Sequence, residues 1–312
     1  MLNPQAKALL DLLISLDAPA MNTLPVAQAR QVYRDRRGAT QPDAPKVAAV
    51  SEHTVRHGEA GVPVRGYRPM GSGATDRLPA LVYYHGGGWT IGDLDTHDTL
   101  CRTLCNESGC AVFAVDYRMG PESKFPAAVD DAMAVLQWAS READSLGIRA
   151  DRIAVGGDSA GGNLAAVVSL MARDQQGPAI AFQLLIYPAT DQRAQSDSHK
   201  RNGEGYLLTN ELMRWFREQY HASADEFLDW RASPLLAASH ERLPPALVLT
   251  AGYDPLVDEG QAYAEALLAA GNVVESVCYD GQIHGFITMG RVIDQANEAV
   301  SLCAGALARG LA

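Results

Sequence analysis

The feature that most constrains the fold is a regular alternation of short apolar segments with longer amphipathic ones. Six apolar segments predict strands, at residues 80–84, 111–115, 153–155, 181–186, 246–250 and 273–279. Helical periodicity lies between them, as in the segment from Pro126 to about Leu146, where Pro126 occupies the first turn. Short, continuously apolar strands that alternate with helices are typical of a mostly parallel sheet with helices on both faces. The sequence therefore predicts an α/β protein.

The remaining segments predict further elements around this sheet. One helical face at the N-terminus carries Leu2, Ala6, Leu9, Leu10, Leu13 and Leu16. A polar stretch at 30–45, strand character at 47–57 and 62–68, a loop at 71–78 and a last helix from Val292 to Leu307 follow. Between Thr190 and Ser233 the chain is polar, with a helical segment at 210–220 and no strand pattern, and an excursion of that length often acts as a lid. No hinge or repeat divides the chain, so we expect a single domain, 1–312.

Composition and charge exclude several classes of protein. Lys and Arg number 26 against 37 Asp and Glu, and the net charge of −11 has the wrong sign for binding nucleic acid. No run approaches the roughly 18 apolar residues of a membrane span. Asp11 interrupts the apolar N-terminal segment, which favours a helix over a secretion signal. Five cysteines, an odd number in a chain of this length, predict a reduced, cytoplasmic protein.

The segment RIAVGGDSAGGNLAAVV, at 152–168, predicts a nucleophile. An apolar strand leads directly into the pattern GxSxG, and a helix of small residues follows. In this context Ser159 lies on a sharp turn with its hydroxyl exposed above the sheet, and the flanking glycines permit the close approach of other chain segments. The alternatives are an ordinary tight turn or a phosphate-binding loop, but such a loop requires a lysine where this chain has Asn163.

A second glycine-rich segment supports this interpretation. His85-Gly86-Gly87-Gly88-Trp89 follows the first regular strand. Consecutive glycines allow backbone N–H groups to point toward a ligand, and in hydrolases of this design they act together with the N–H that follows the nucleophile, here that of Ala160. Such donors stabilise the oxyanion of a tetrahedral intermediate.

A serine nucleophile requires a base and an acid that orients the base. His284 lies after the last predicted strand, where the chain order Ser, acid, His places the base. The preceding strand is followed by Asp254, with Asp258 one helical turn later. We favour Asp254, because a carboxylate at the end of a strand can face the site. Both acids could instead serve only to stabilise a helix N-terminus.

Several motifs together resemble a known family. These are HGGGW at 85–89, YRMGPESKFPAAVDD at 117–131, GDSAG at 157–161, DPLVDEG at 254–260 and HGF at 284–286. They are similar to the bacterial hormone-sensitive-lipase family, or family IV, of α/β-hydrolase esterases, and the resemblance spans about residues 80–290. One departure is Met119-Gly120, where the family more often has Leu-Ala, a change expected to affect packing.

The resemblance implies roles for individual residues and segments. It makes Ser159 the nucleophile, His284 the base and Asp254 the acid. The oxyanion-hole donors it implies are Gly87, Gly88 and Ala160. It further implies that residues 1–45 and about 190–232 form a cap over the pocket.

Other features have simpler structural interpretations. Asp93, Asp95, His97 and Asp98 suggest a metal site, but we favour a polar loop that caps a helix beginning near Thr96. Cys101 and Cys105 are read as core thiols, and His85 as a residue that holds the glycine loop rather than a second base. Lining of an acyl pocket and plain packing remain equally open for Trp89, Tyr206, Leu207, Leu208, Phe286 and Ile287.

The functional expectation is a serine carboxylesterase that forms an acyl-enzyme and requires neither metal nor organic cofactor. The expected substrates are small esters, and the resemblance implies short to medium acyl chains. An amidase or peptidase with the same triad stays open, as does a receptor on this fold without catalysis, although the plant gibberellin receptors that the family resembles lack the base histidine. The sequence leaves open whether the chain is a monomer or a homodimer.

Overall fold

The computed structural model describes residues 1–17, 19–57, 61–73 and 75–312, and its centre is an eight-stranded sheet. The strands are β1 Ala49–Val55, β2 Val62–Arg68, β3 Leu78–Tyr84, β4 Ala111–Val115, β5 Ile148–Asp158, β6 Phe182–Ile186, β7 Ala246–Tyr253 and β8 Val274–Ile283. Their order across the sheet is β1-β2-β4-β3-β5-β6-β7-β8. β2 runs antiparallel to β1 and β4, and the other neighbours are parallel. The carboxyl ends of β3, β5, β7 and β8 therefore meet at one edge.

Ten α-helices are assigned within the described residues. They are α1 Pro4–Ser15, α2 Val26–Thr40, α3 Asp98–Ser108, α4 Ala127–Arg141, α5 Ala143–Leu146, α6 Ala160–Asp174, α7 Asp197–Asn202, α8 Asn210–Tyr220, α9 Val257–Ala269 and α10 Asp294–Gly310. Among them, no helix combines the length and apolarity needed to cross a membrane.

Helices cover both faces of the sheet because alternate side chains of each central strand point to opposite sides. In β3, Val82 and Tyr84 join the core formed with α4 and α6, whereas Leu81 and Tyr83 join the core formed with α3 and α10. β4 and β6 are buried along their whole lengths. This is the two-sided burial that the unbroken apolar segments predict, and it confirms the predicted fold class.

All eight predicted strands are present, but several boundaries differ. β5 begins at Ile148 rather than 153, and β8 continues to Ile283 rather than 279. The predicted helix from Pro126 to Leu146 is interrupted at Glu142, because the chain bends there and Gly147, with φ 64°, then turns it into β5. Pro126 precedes the helix instead of lying in its first turn. The last helix begins at Asp294, two residues later than expected.

The polar stretch predicted at 30–45 is largely helical, because α2 spans 26–40, and α7 was not predicted either. The inward face of α2 buries Ala29, Tyr33 and Arg37. With an arginine on that face, the apolar periodicity is too weak to indicate a helix. The predicted loop at 71–78 ends where β3 begins at Leu78, and within it Ala74 lies outside the described residues.

A buried asparagine ties α6 to the segment that follows β6. The Nδ2 of Asn163 donates to the carbonyl oxygens of Ala189 and Ala232, each at 2.8 Å. Asn163 is buried, with 1% of its surface exposed. These bonds hold the two ends of the 190–232 excursion against the helix that begins behind Ser159.

Replacement of Asn163 by alanine should lower the free energy of unfolding by about 2–4 kcal/mol, because two buried carbonyl groups lose their donor. Urea denaturation followed by circular dichroism measures this. Ser169→Ala on the same helix is the control: Ser169 donates only to the carbonyl of Ala165 within the helix, so its loss should cost less than about 1 kcal/mol. Equal losses in the two variants would contradict the role given to Asn163.

Candidate active site

Ser159 lies on a strained turn between β5 and α6. It is the single residue between them, with φ 57° and ψ −116°. Positive φ is rare for a residue with a side chain and is found mainly where the surrounding structure enforces it. A Cβ on Gly157 or Gly161 would collide with the carbonyl oxygen of Tyr84 at the end of β3. The two glycines therefore allow β3 to approach, and the serine projects beyond the edge of the sheet.

Ser159, His284 and Asp254 are brought together by three strand ends. His284 Nε2 lies 2.9 Å from Ser159 Oγ, and His284 Nδ1 lies 2.6 Å from Asp254 Oδ2. Asp254 follows β7 directly, and His284 follows β8 directly. The buried carboxylate accepts from Nδ1–H, which leaves Nε2 free to accept the hydroxyl proton. The arrangement can convert the serine into a nucleophile.

The alternative acid, Asp258, is engaged elsewhere. It lies in the first turn of α9, where its carboxylate accepts the backbone N–H of Ser198 and a guanidinium hydrogen of Arg201, each at 2.7 Å. Both partners belong to α7. Asp258 thus holds α7 against α9 and is not hydrogen-bonded to the histidine.

Two polar side chains of α7 also hold the loop that carries Asp254. Asn202 Nδ2 donates to the carbonyl oxygens of Gly252 at 3.1 Å and Asp254 at 3.0 Å. Ser198 Oγ donates to the carbonyl oxygen of Pro255 at 2.5 Å. The backbone on both sides of the acid is therefore fixed by side chains from the 190–232 excursion.

Three backbone N–H groups near the serine have no acceptor in the described part of the chain. They belong to Gly87, Gly88 and Ala160, and all three residues line the same cavity as the serine. Gly87 and Gly88 have φ values of 124° and 59°. A Cβ on Gly87 would collide with the carbonyl of Ile91, and one on Gly88 with the ring of Phe216. Free N–H groups of this kind can stabilise a developing oxyanion.

Asp158 joins the glycine loop to the turn at Ser159. Its Oδ1 accepts the Tyr83 hydroxyl at 2.7 Å and the Gly86 N–H at 2.9 Å, and His97 Nε2 lies 3.3 Å away. Burial alone would raise the pKa of Asp158, but its interactions with His97 and Tyr83 outweigh burial and hold the pKa well below its usual range. The carboxylate is therefore ionised at neutral pH.

His85 lies beneath the glycine loop. Its Nδ1 is 2.9 Å from the carbonyl oxygen of Gly86, and its ring stacks on Tyr117 with centroids 4.4 Å apart. Burial and the neighbouring His97 lower the pKa of His85 to about 4, so the imidazole is neutral near pH 7. His85 is not among the residues that line the cavity, a position suited to holding the loop.

The acidic cluster at 93–98 is dispersed among separate partners. Asp93 pairs with Arg34, Asp95 Oδ1 is 2.9 Å from Arg65, and Asp98 accepts the Tyr67 hydroxyl at 2.8 Å. In the described ranges, no group of three or more His, Cys, Asp or Glu side chains is arranged to hold a metal ion. The predicted helix start near Thr96 is wrong by two residues, because Asp93 and Thr96 bond reciprocally in a turn that precedes α3.

A cavity of about 270 Å³ opens beside Ser159 and is mainly apolar. Of the six apolar residues that the sequence suggested for such a pocket, Trp89, Leu207 and Leu208 line it. The other three do not. Phe286 and Ile287 are buried in the core beneath α10, and Tyr206 packs against Tyr253 at a centroid distance of 5.1 Å.

A buried glutamate forms part of the cavity wall. Glu259 Oε1 accepts the N–H groups of Thr190 at 2.7 Å and Asp191 at 3.1 Å, and Oε2 lies 3.5 Å from His199 Nε2. Burial raises the pKa of Glu259 to about 8, against the opposing effect of the two N–H donors. The carboxyl group is therefore mostly protonated at neutral pH, whereas Asp158 on the same cavity is charged.

Comparison with known proteins places this geometry in a family. Residues 81–288, two thirds of the chain, match the family model described as the alpha/beta hydrolase fold. The chain belongs to the α/β-hydrolase family. This agrees with the resemblance to hormone-sensitive-lipase-like esterases that its motifs predict. The matched range includes the residues of the glycine loop and the GxSxG turn, as well as Asp254 and His284.

Individual relatives of this α/β-hydrolase are similar over most of its length. It is 48% identical to the carboxylic ester hydrolase LipN of Mycobacterium tuberculosis over 81% of this chain and 69% of that one. It is 39% identical to an ethyl acetate hydrolase of Pseudomonas putida over 92% and 91%. Among solved structures, the Ser161Ala mutant of LAE6, an α/β-hydrolase enzyme from the metagenome of Lake Arreo, superposes with a TM-score of 0.96 at 44% identity, covering 99% of this chain and 98% of that one.

Several polar groups of this site have no recognisable signal in the sequence. Asp158 lies inside the GxSxG motif and Glu259 inside DPLVDEG, but neither position by itself indicates which groups the side chain contacts. Asn202 and Arg37 lie in segments without a motif. The only signal for Arg37 is its i, i+4 spacing from Tyr33 on a helix that the sequence did not reveal.

The raised pKa of Glu259 predicts an effect of pH on stability. Between the ordinary value of 4.5 and about 8, the unfolded chain loses this proton while the folded protein keeps it, so stability should fall as pH rises through that range. Glu259→Gln retains the acceptor for Thr190 and removes the titration. Urea unfolding at pH 5, 6, 7 and 8 should show the variant gaining stability relative to wild type as pH rises.

Glu265→Gln, at an exposed position of the same helix, is the control. Its difference from wild type should stay constant across the four pH values. If the stability of Glu259→Gln relative to wild type stays constant or falls as pH rises, Glu259 is ionised in the folded protein.

Proposed function

We propose that this protein is a serine carboxylesterase in which Ser159 attacks the ester carbonyl, His284 is the general base and Asp254 orients the histidine. The observation that carries the proposal is the continuous pair of hydrogen bonds, 2.9 Å and 2.6 Å, from the serine through the histidine to a buried carboxylate. The ester-hydrolase relatives support the choice of substrate, since a triad alone does not distinguish esters from amides.

The reaction proceeds in two acyl transfers. His284 accepts the proton of Ser159 as Oγ bonds to the carbonyl carbon, and negative charge collects on the carbonyl oxygen. The N–H groups of Gly87, Gly88 and Ala160 donate to that oxygen. The imidazolium then protonates the oxygen of the departing alcohol. The alcohol dissociates, and the acyl group remains bonded to Ser159 as the acyl-enzyme. His284 then deprotonates a water molecule, which attacks the acyl carbon. The imidazolium returns the proton to Ser159 Oγ as its bond to the acyl group breaks, and the carboxylic acid is released.

We further propose that residues 1–45 and 190–232 form a cap on a single hydrolase domain. Support comes from the cavity walls, of which many residues belong to these two segments. The first segment contributes Leu9, Leu12, Leu13, Leu16, Met21, Tyr33, Arg36, Arg37, Ala39 and Thr40. The second contributes Asp191, Gln192, His199, Leu207, Leu208, Leu212, Met213, Phe216 and Arg217. Such a cap excludes water from the acyl group and limits its length.

The size of the cavity favours short to medium acyl chains. Its volume of about 270 Å³ lies just below the range of roughly 300–1,000 Å³ typical of small-molecule pockets. Across p-nitrophenyl esters of increasing acyl length, kcat/KM should rise through the shorter chains and fall for long ones. The expected physiological partner is a small-molecule ester.

Ser159→Ala should reduce kcat on p-nitrophenyl butyrate by about 10⁴-fold or more, because the nucleophile is absent while the fold is retained. Steady-state release of p-nitrophenol measures the loss, and unchanged circular dichroism confirms folding. The exposed Ser145→Ala, in α5, is a matched control that should keep full activity. Retention of a tenth of the activity by Ser159→Ala would overturn the assignment.

A matched p-nitroanilide tests the amidase alternative, and turnover comparable to the ester would favour it.

Asp158→Ala should lower kcat by about 10–100-fold with little change in KM, because loss of its bonds to Gly86 and Tyr83 displaces the glycine loop from the oxyanion position. Tyr83→Phe removes only one of these bonds and should cost less than about tenfold. The same ester assay gives both constants. A variant that raised KM and kept kcat would place Asp158 in substrate binding instead.

A further inference from the structure

The four arginines of α2 fall into two classes. Arg30 and Arg34 form ion pairs with carboxylates. Arg36 and Arg37 line the cavity beside Ser159, and in the described part of the chain no Asp or Glu oxygen lies within 4.0 Å of either side chain. One helix thus carries its paired cations outside the cavity and its unpaired cations on the cavity wall.

Arg37 is buried with most of its hydrogen-bonding capacity unused. Only 7% of its surface is exposed. Nη1 donates to the carbonyl oxygen of Gly285 at 3.4 Å, and the guanidinium carbon lies 4.8 Å from the centre of the Tyr33 ring. Nε is buried without an acceptor, and Nη2 donates no hydrogen bond within the described ranges. A guanidinium has five N–H donors, so this side chain can still bind an acceptor with two oxygens.

The position of Arg37 places this unused capacity at the catalytic centre. Gly285 directly follows His284, and a Cβ at Gly285 would lie 3.3 Å from Arg37 Nη2. Asp158 is close enough to act electrostatically on the guanidinium, but its Oδ1 already accepts from Tyr83 and Gly86, and its Oδ2 lies 3.4 Å from His97 Nε2. Arg37 therefore lies near a negative charge but forms no direct ion pair with any described residue.

An unpaired buried cation is costly, and a ligand anion would remove much of the cost. Most of the remaining cavity wall is apolar, so a carboxylate bound away from a cation would lose its hydration without gaining a partner. The planar guanidinium matches a carboxylate with two parallel hydrogen bonds, and Arg36 adds a second positive charge one residue away.

We propose that Arg37, assisted by Arg36, binds a carboxylate carried by the ester, so that the substrates of this hydrolase include negatively charged esters. These comprise half-esters of dicarboxylic acids and acyl esters of hydroxylated carboxylic acids. The inference rests on the proposed ester hydrolysis and specifies its substrate class.

Two matched pairs of esters test this proposal. p-Nitrophenyl hemiglutarate and p-nitrophenyl 5-methylhexanoate differ only in a carboxylate or an isopropyl group at the end of the acyl chain. 4-Carboxyphenyl acetate and 4-isopropylphenyl acetate place the same difference on the alcohol. For each pair, kcat/KM of the charged ester is divided by that of the neutral ester, and the ratio for each variant is compared with that for wild type, which cancels intrinsic reactivity.

In at least one pair, Arg37→Met should lower the ratio by about 10–100-fold, the range expected for a hydrogen bond to a charged group. Arg37→Lys should retain part of it, and Arg36→Met should lower it less. Arg34→Met is the matched control, because it removes a positive charge from the same helix outside the cavity and should leave both ratios unchanged.

The outcomes separate this inference from the proposed function. Wild type that hydrolyses both neutral esters but neither charged one overturns the carboxylate site and leaves the esterase proposal intact, and this holds even if Arg37→Met fails to fold. Equal losses on charged and neutral esters in Arg37→Met show that the arginine only fixes the Gly285 backbone, which also overturns the site. Failure of wild type on every ester would overturn the proposed function itself.

Discussion

The turn at Ser159 is the constraint on which the rest of the site depends. A serine with φ 57° between a buried strand and a buried helix costs roughly 1–3 kcal/mol and persists only because β5 and α6 are fixed on both sides by the core. The two flanking glycines let the end of β3 approach within contact distance. That approach brings the glycine loop to the serine, so one backbone distortion aligns the proposed nucleophile with the proposed oxyanion donors.

At this edge of the sheet, the charge state of a carboxyl group depends on its neighbours as well as on its residue type. Asp158 and Glu259 are both fully buried carboxyl groups on one cavity, yet the pKa of the first is lowered and that of the second is raised to about 8. Burial raises the pKa of both groups, but at Asp158 the effects of His97, Tyr83 and Arg37 outweigh it. At Glu259 burial, together with the negative charges of Asp191 and Asp254, outweighs the opposing effect of two backbone N–H bonds. In a medium of low dielectric constant such differences are large, and they allow charged and neutral acids to coexist within one cavity.

The parts of the structure that could be predicted from the sequence depend on residues close together in the chain. Strand positions follow from unbroken apolar segments that are buried on both faces, as in β4. The glycines around Ser159 are required by the local backbone geometry of the turn, and they can be read directly from the sequence. Helix α2 was missed for the opposite reason. Its buried face includes Arg37, which interrupts the pattern of apolar residues that would identify a helix. The burial of Arg37 depends instead on a contact with Gly285, nearly 250 residues away in the chain.

The sequence by itself determined the order of the strands and of most helices along the chain, the strained turn and the residue types able to act as nucleophile, base and acid, because each depends on local backbone geometry and the period of apolar side chains. It did not determine which polar groups meet. The tertiary structure decided the partners of Asp158 and the bonds from Asn202 to the loop of Asp254. It also decided the neutral state of Glu259 and left Arg37 without an ion pair among the described residues. Hydrogen bonds and charge interactions act through space over a few ångströms, and only folding brings such distant segments that close.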